Sequence, residues 1–263
     1  MKWCRVRSEG RETFALLEDK EIVEVDGSPF EEYRVMRRRH PLAAVQLLVP
    51  VVPANFYAAG VNYRAHVEWA ASRRNLPVSV PKEADIGYRS VNALIPTGEP
   101  IVIPRDSPGP VEYEGELVAV VGKRARNLSE DEALGCLLGL TLGNDLSERA
   151  WQRSDRTLWR AKNTDTFKPM GPFIATGLDP MNRHIVIRLN GAVVSEYETS
   201  GMLFSAQQYI SRMTRYVTLY PGDVIWLGTD GATEPALKAG DVIEIEDPDI
   251  GVLRNPVVRE RAS

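Results

Sequence analysis

The stretch Val111-Glu112-Tyr113-Glu114-Gly115-Glu116-Leu117-Val118-Ala119-Val120-Val121 constrains the fold more than any other part of the chain. In an extended strand alternate side chains share a face, so Glu112, Glu114 and Glu116 line up with Val118 and Val120. The continuation is apolar on both faces, which places the strand inside a sheet. Carboxylates crowded beside a dry surface must take up protons or meet a cation. Glu114 and Glu116 are separated by roughly 6.6 Å along a strand, a span from which both can converge on one ion. An all-oxygen site of this kind suits Mg2+, Mn2+ or Ca2+ rather than zinc. The competing reading of the same residues is an edge strand with its acids in solvent.

The rest of the sequence predicts a strand-rich α+β protein. Residues 1–50 read as short strands and turns, a small β-rich N-terminal domain, with a boundary near Pro50 and Pro53 and a second, larger domain over residues 51–263. Apolar runs predict further strands at 56–58, 101–103, 114–121, 185–189, 193–197, 224–227 and 242–245, with Asn190-Gly191 as a two-residue hairpin turn. Three helices are expected: Ala65 to Arg74, Ser205 to Arg215, and one from the capping-box sequence Ser129-Glu130-Asp131-Glu132 toward Leu142. The 263 residues carry 32 Lys+Arg against 36 Asp+Glu, and this mild acid excess gives no basic stripe for nucleic acid. With two distant cysteines, no apolar leader and no long apolar run, the expectation is a cytoplasmic protein without a membrane span.

Further chemistry-bearing residues lie beyond the acidic strand. Asp145, in Asn144-Asp145, follows the expected helix and can present a third acid, although Asn-Asp is also turn chemistry. Lys162 precedes a Pro/Gly-punctuated stretch; three acids around a divalent ion leave a net charge that an ammonium would balance. Of three histidines, His66 follows the end of a buried strand and is the candidate acid/base. Residues 65–86 form a candidate lid, with Arg73 and Arg74 available to a second substrate carboxylate or simply solvated.

In order along the chain, Asn62-Tyr63-x-x-His66, Tyr113-Glu114-Gly115-Glu116-Leu117, Asn144-Asp145-x-Ser147-x-Arg149-x-x-Gln152, Lys162-x-x-Asp165, Asn190-Gly191, Pro221-Gly222-Asp223 and Gly228-Thr229 resemble the fumarylacetoacetate hydrolase family. The resemblance implies a distorted β-roll catalytic domain after a small N-terminal domain, assembled as a homodimer. It implies Mg2+, or Mn2+ or Ca2+, held by Glu114, Glu116 and Asp145. It places Lys162, Gln152 and Thr229 at the substrate, with Arg149 and Tyr63 beside them and His66 as base. The implied reaction is hydrolysis of a carbon–carbon bond in a small 2-oxo or β-diketo acid of the acylpyruvate type, through a metal-bound enolate. Isomerisation of an unsaturated 2-oxo diacid or decarboxylation of oxaloacetate on the same site, or a lapsed metabolite-binding role, are the alternatives. The family's acylpyruvate hydrolases carry a glutamate three residues after the histidine. Here that position is Trp69, so Glu68, one residue earlier, is the acid left for a dyad with His66. Arg89 and Asp230 also depart from the family pattern.

Overall fold

Alternation of apolar and polar residues builds most of the chain into strands, and the strand-rich α+β architecture expected from the sequence is the one observed. The computed structural model describes residues 1–231 and 234–261. The side chain of Arg74, a candidate for a second substrate carboxylate, lies outside what is described.

A large sheet runs in the order Tyr33–Pro41, Glu21–Gly27, Arg11–Glu18, Lys2–Ser8, Lys168–Ala175, Leu137–Asn144, Gly115–Val121, Val224–Trp226, Phe56–Ala59 and Ile86–Tyr88. The N-terminal strands join it directly, with Trp3 opposite Ile174. Gly115–Val121 is therefore central, flanked by Leu137–Asn144 and Val224–Trp226. Its two faces feed two cores: Leu117, Ala119 and Val121 pack with Ile187 and Ile245 of a second, five-stranded sheet. Val118 and Val120 pack with Phe56 and Trp226 on the opposite side. Burial on both faces explains why the strand reads as a continuous apolar run.

Asn190-Gly191 forms the hairpin between His184–Leu189 and Ala192–Glu198, with φ of 54° and 82° as a type I′ turn requires. Helices Arg64–Arg74 and Ala206–Thr214 occupy the expected segments. The helix from Ser129 is instead a single turn, Glu130–Ala133, capped by Glu132 on the Ser129 N–H at 3.0 Å. A short 3-10 turn follows, and Leu137–Asn144 is a strand. Its leucines serve two cores, Leu140 and Leu142 in one and Leu138 in the other, so they do not form the single apolar stripe of a helix.

Candidate active site

Glu114 sits where the strand Val111–Glu112 gives way to Gly115–Val121. The Asn144 side chain accepts the Glu114 N–H at 3.0 Å, and the Asp145 N–H donates to the Glu114 carbonyl at 2.8 Å. The Asn-Asp pair thus pins the end of its own strand to its neighbour and carries the Asp145 carboxylate toward Glu114 and Glu116. All three carboxylates are buried, and one oxygen from each lies within 4.8 Å of the others.

Four cations converge on this group. Lys162 Nζ donates to Glu114 Oε2 at 2.6 Å and to Asp145 Oδ2 at 2.7 Å. Arg89 grips Asp145 with Nε at 3.1 Å and Nη2 at 2.8 Å, and Lys168 Nζ lies 2.8 Å from Asp145 Oδ1. Arg149 joins Glu114 at 2.8 Å and Glu112 at 2.7 Å, and donates to the Gln152 side-chain oxygen at 2.8 Å. Burial alone would raise Glu114, but Lys162 and Arg149 outweigh it and bring the carboxyl down to about 2. Burial opposes the ionisation of Asp145 too, yet Arg89, Lys162 and Lys168 hold it well below the usual carboxylate range. Lys168, fully buried, is itself pushed down to about 7 by burial, which outweighs the pull of Asp145.

Glu116 is the exception. Among the described residues no ion pair reaches it; its Oε2 accepts a hydrogen bond from the Gly228 N–H at 2.8 Å. Gly228 adopts φ of 90°, a left-handed conformation that favours glycine. Burial, with Asp145 and Glu114 nearby, pushes Glu116 up to about 8. A buried carboxylate that shares a cavity with two ionised acids and is paired to no cation fits a divalent ion, which Glu114, Glu116 and Asp145 would hold. The expectation that three acids would need one ammonium to balance them understates the site: Arg89 and Lys168 contribute as well. In the sequence Arg89 stands out only as a departure from the family pattern and Lys168 not at all, because what marks them is burial beside Asp145.

Two consequences for pH follow. A carboxyl raised in the folded state contributes stability below its unfolded value and loses it as pH climbs through its folded value. Metal-free protein should therefore lose stability as pH rises from about 5 toward 8, and Mn2+ should restore it. Binding at pH 7 should release close to one proton per ion, as Glu116 gives up its proton. Calorimetric titration in buffers of different ionisation enthalpy measures that number, and zero release would contradict the assignment.

The cavity over this cluster has a volume of about 160 Å³ and is lined by His66, Gln152, Lys162 and Thr229 as well as the three acids. The buried Thr229 side chain lines the cavity, with the Tyr197 hydroxyl as a polar neighbour. His66 belongs to helix Arg64–Arg74; burial lowers its pKa, and its buried Nδ1 has no partner among the described residues. The Trp69 ring lies 5.4 Å from the imidazole and is flanked by the guanidinium groups of Arg73 at 5.1 Å and Arg149 at 5.3 Å.

Two expected site residues fall elsewhere. Glu68 turns to solvent, 54% exposed and 3.8 Å from Arg64, because residues two apart on a helix point in different directions. It cannot serve as the acid for His66. Tyr63 is a buried core residue that precedes the helix and packs edge-on against Tyr197 at 5.2 Å; it does not line the cavity.

Residues 55–258 match the family described as Fumarylacetoacetate (FAA) hydrolase C-terminal, and residues 1–50 match Rv2993c-like, N-terminal. An uncharacterised protein of Archaeoglobus fulgidus is 40% identical over 90% of each chain. The oxaloacetate tautomerase fahd2 of Xenopus laevis, a mitochondrial protein, is 35% identical over 81% of this chain and 69% of its own. The crystal structure of a 5-carboxymethyl-2-hydroxymuconate delta-isomerase from Mycobacterium smegmatis superposes with a TM-score of 0.89, at 34% identity, over 99% of this chain and 100% of that one. No helix among the described residues is long and apolar enough to cross a membrane.

Proposed function

The chain belongs to the fumarylacetoacetate hydrolase family, and from that premise we propose that it moves a proton at the carbon beside the carbonyl of a small 2-oxo acid. Keto and enol forms, or two positions of a double bond, would be interconverted in this way. The observation that carries the reading is the setting of His66. Hydrolysis needs a water made nucleophilic, and a histidine doing so gains basicity and orientation from a partner carboxylate. Here the corresponding position is Trp69, and Glu68 points away. A lone imidazole kept neutral by burial still suits a simple proton transfer at carbon.

The roles of the side chains follow from their placement. Gln152 and Thr229 would orient the 2-oxo acid with hydrogen bonds along the cavity wall. The imidazole of His66 would take the proton from the carbon and return it to the far end of the enolate system. Lys162, which donates to Glu114 and Asp145, would stabilise the enolate oxygen as its charge develops. A divalent ion held by Glu114, Glu116 and Asp145 would supply Lewis-acid polarisation of the carbonyl and carboxylate oxygens. Retention of this whole set speaks against a lapsed, binding-only protein.

Hydrolysis of an acylpyruvate is the second reading, favoured by a larger cavity beside His66 that could hold an acyl chain. Proton NMR in D2O with Mg2+ present distinguishes the two. The expected result is enzyme-dependent loss of the C3 proton signal of oxaloacetate or pyruvate, without cleavage of acetopyruvate. Cleavage of acetopyruvate with no exchange at C3 would reverse the order of the readings.

A further inference from the structure

A second cavity, of about 260 Å³, opens beside the first and shares Val61, His66 and Gln152 with it. Two helices face each other across it. On Arg64–Arg74 the residues His66, Trp69, Ala70 and Arg73 fall on one face at helical spacing; on Arg149–Ser154 the same holds for Arg149, Gln152 and Arg153. The helix that brings Gln152 to the catalytic cavity therefore brings Arg149 and Arg153 to the adjoining one.

The charges of the three guanidinium groups are not equally spent. Arg149 is committed to Glu112 and Glu114, and Arg73 to Glu112 at 2.9 Å and Glu234 at 3.0 Å. The Arg153 guanidinium makes no ion pair or hydrogen bond among the described residues, yet it lines the cavity. The same cavity has an apolar stretch of wall from Trp69, Ala70 and Pro110, and its one acid, Glu112, is neutralised by Arg73 and Arg149. Apolar wall ending at an uncommitted planar cation matches a short carbon chain that terminates in a carboxylate, which a guanidinium can bind through two parallel hydrogen bonds.

We propose that Arg153 is a specificity residue that binds the distal carboxylate of a 2-oxo dicarboxylic acid, with Arg73 alongside, while the 2-oxo end occupies the first cavity. This rests on the proposed proton transfer for the identity of the 2-oxo end only. The experiment uses Mg2+-loaded protein and pairs of acids matched in length: oxaloacetate with 2-oxobutyrate, 2-oxoglutarate with 2-oxovalerate, and 2-oxoadipate with 2-oxohexanoate. Exchange at C3 gives kcat and KM, and calorimetry gives Kd. The wild-type protein should favour the diacid of at least one pair about tenfold or more, and Arg153→Gln should erase that preference through KM and Kd rather than kcat. Arg153→Lys, which keeps the charge and loses the fork, should retain part of it. Because the side chain is exposed, neither substitution endangers the fold. Diacid preference in binding that is lost in Arg153→Gln, with no exchange of any acid, would support the subsite and refute the proton transfer. Exchange with no diacid preference, or with a preference unchanged in Arg153→Gln, overturns the subsite and leaves the reaction standing. Failure of all six acids to bind overturns both.

Discussion

Asp145→Asn should destabilise the metal-free protein by about 3–5 kcal/mol, the cost of removing one partner from a buried ion pair. The carboxylate of Asp145 is met by Lys162 at 2.7 Å and by Arg89 and Lys168 at 2.8 Å. All three cations are buried, with side-chain exposures of 7%, 8% and 0%, so water cannot replace the missing charge. An asparagine keeps the shape, but its amide group turns two donors toward groups that are themselves donors. The loss is read as a lower urea midpoint at unchanged slope. Glu116→Gln is the internal control. With a backbone N–H on its carboxylate and a pKa pushed up to about 8, Glu116 is largely neutral at pH 7, so the substitution should leave metal-free stability close to wild type while weakening Mn2+ binding. Equal stabilities for the two variants would refute the charge distribution described for the site.

That asymmetry bears on how far the site was legible. The alternating acids running into an apolar strand announced a buried cluster, because carboxylates beside Val118 and Val120 are costly without compensation. Asp145 was readable once the ordered motifs were recognised. What the sequence did not carry was the direction of long-range approaches. Arg89 stands in the sequence as a departure from a family pattern, and nothing there singles out Lys168; only the pairing of Lys168–Ala175 against Leu137–Asn144 brings the lysine under Asp145. Glu68 failed for a local reason: a one-residue offset on a helix rotates a side chain by about 100°. The chain from Leu137 to Asn144 was misread as helix because a strand buried on both faces and a buried helix share an apolar composition and differ chiefly in length and periodicity.

His66→Asn should lower turnover by about 10²–10⁴-fold, the usual contribution of a positioned general base, while leaving the fold and Mn2+ affinity nearly intact. The stability part follows from the lack, among the described residues, of any ion pair at the imidazole or partner at Nδ1, so that truncation strands no buried charge. This separates His66 from Asp145, whose loss damages fold and chemistry together. The pH profile supplies the second half of the argument. A base acts in its neutral form, which predominates above its pKa, and burial depresses that of His66 below the ordinary imidazole value. The acid limb of kcat/KM should therefore fall below the ordinary histidine range in the wild-type protein and vanish in His66→Asn, with the residual rate flat through that interval. A hydrolase relying on a His-carboxylate dyad would show the opposite displacement, since a neighbouring anion raises the imidazole. An acid limb above the ordinary histidine range would point to a carboxylate reaching His66 in the working enzyme and restore hydrolysis as the leading reading. Undiminished exchange in His66→Asn would instead remove the imidazole from the chemistry and overturn the proposed proton transfer by His66.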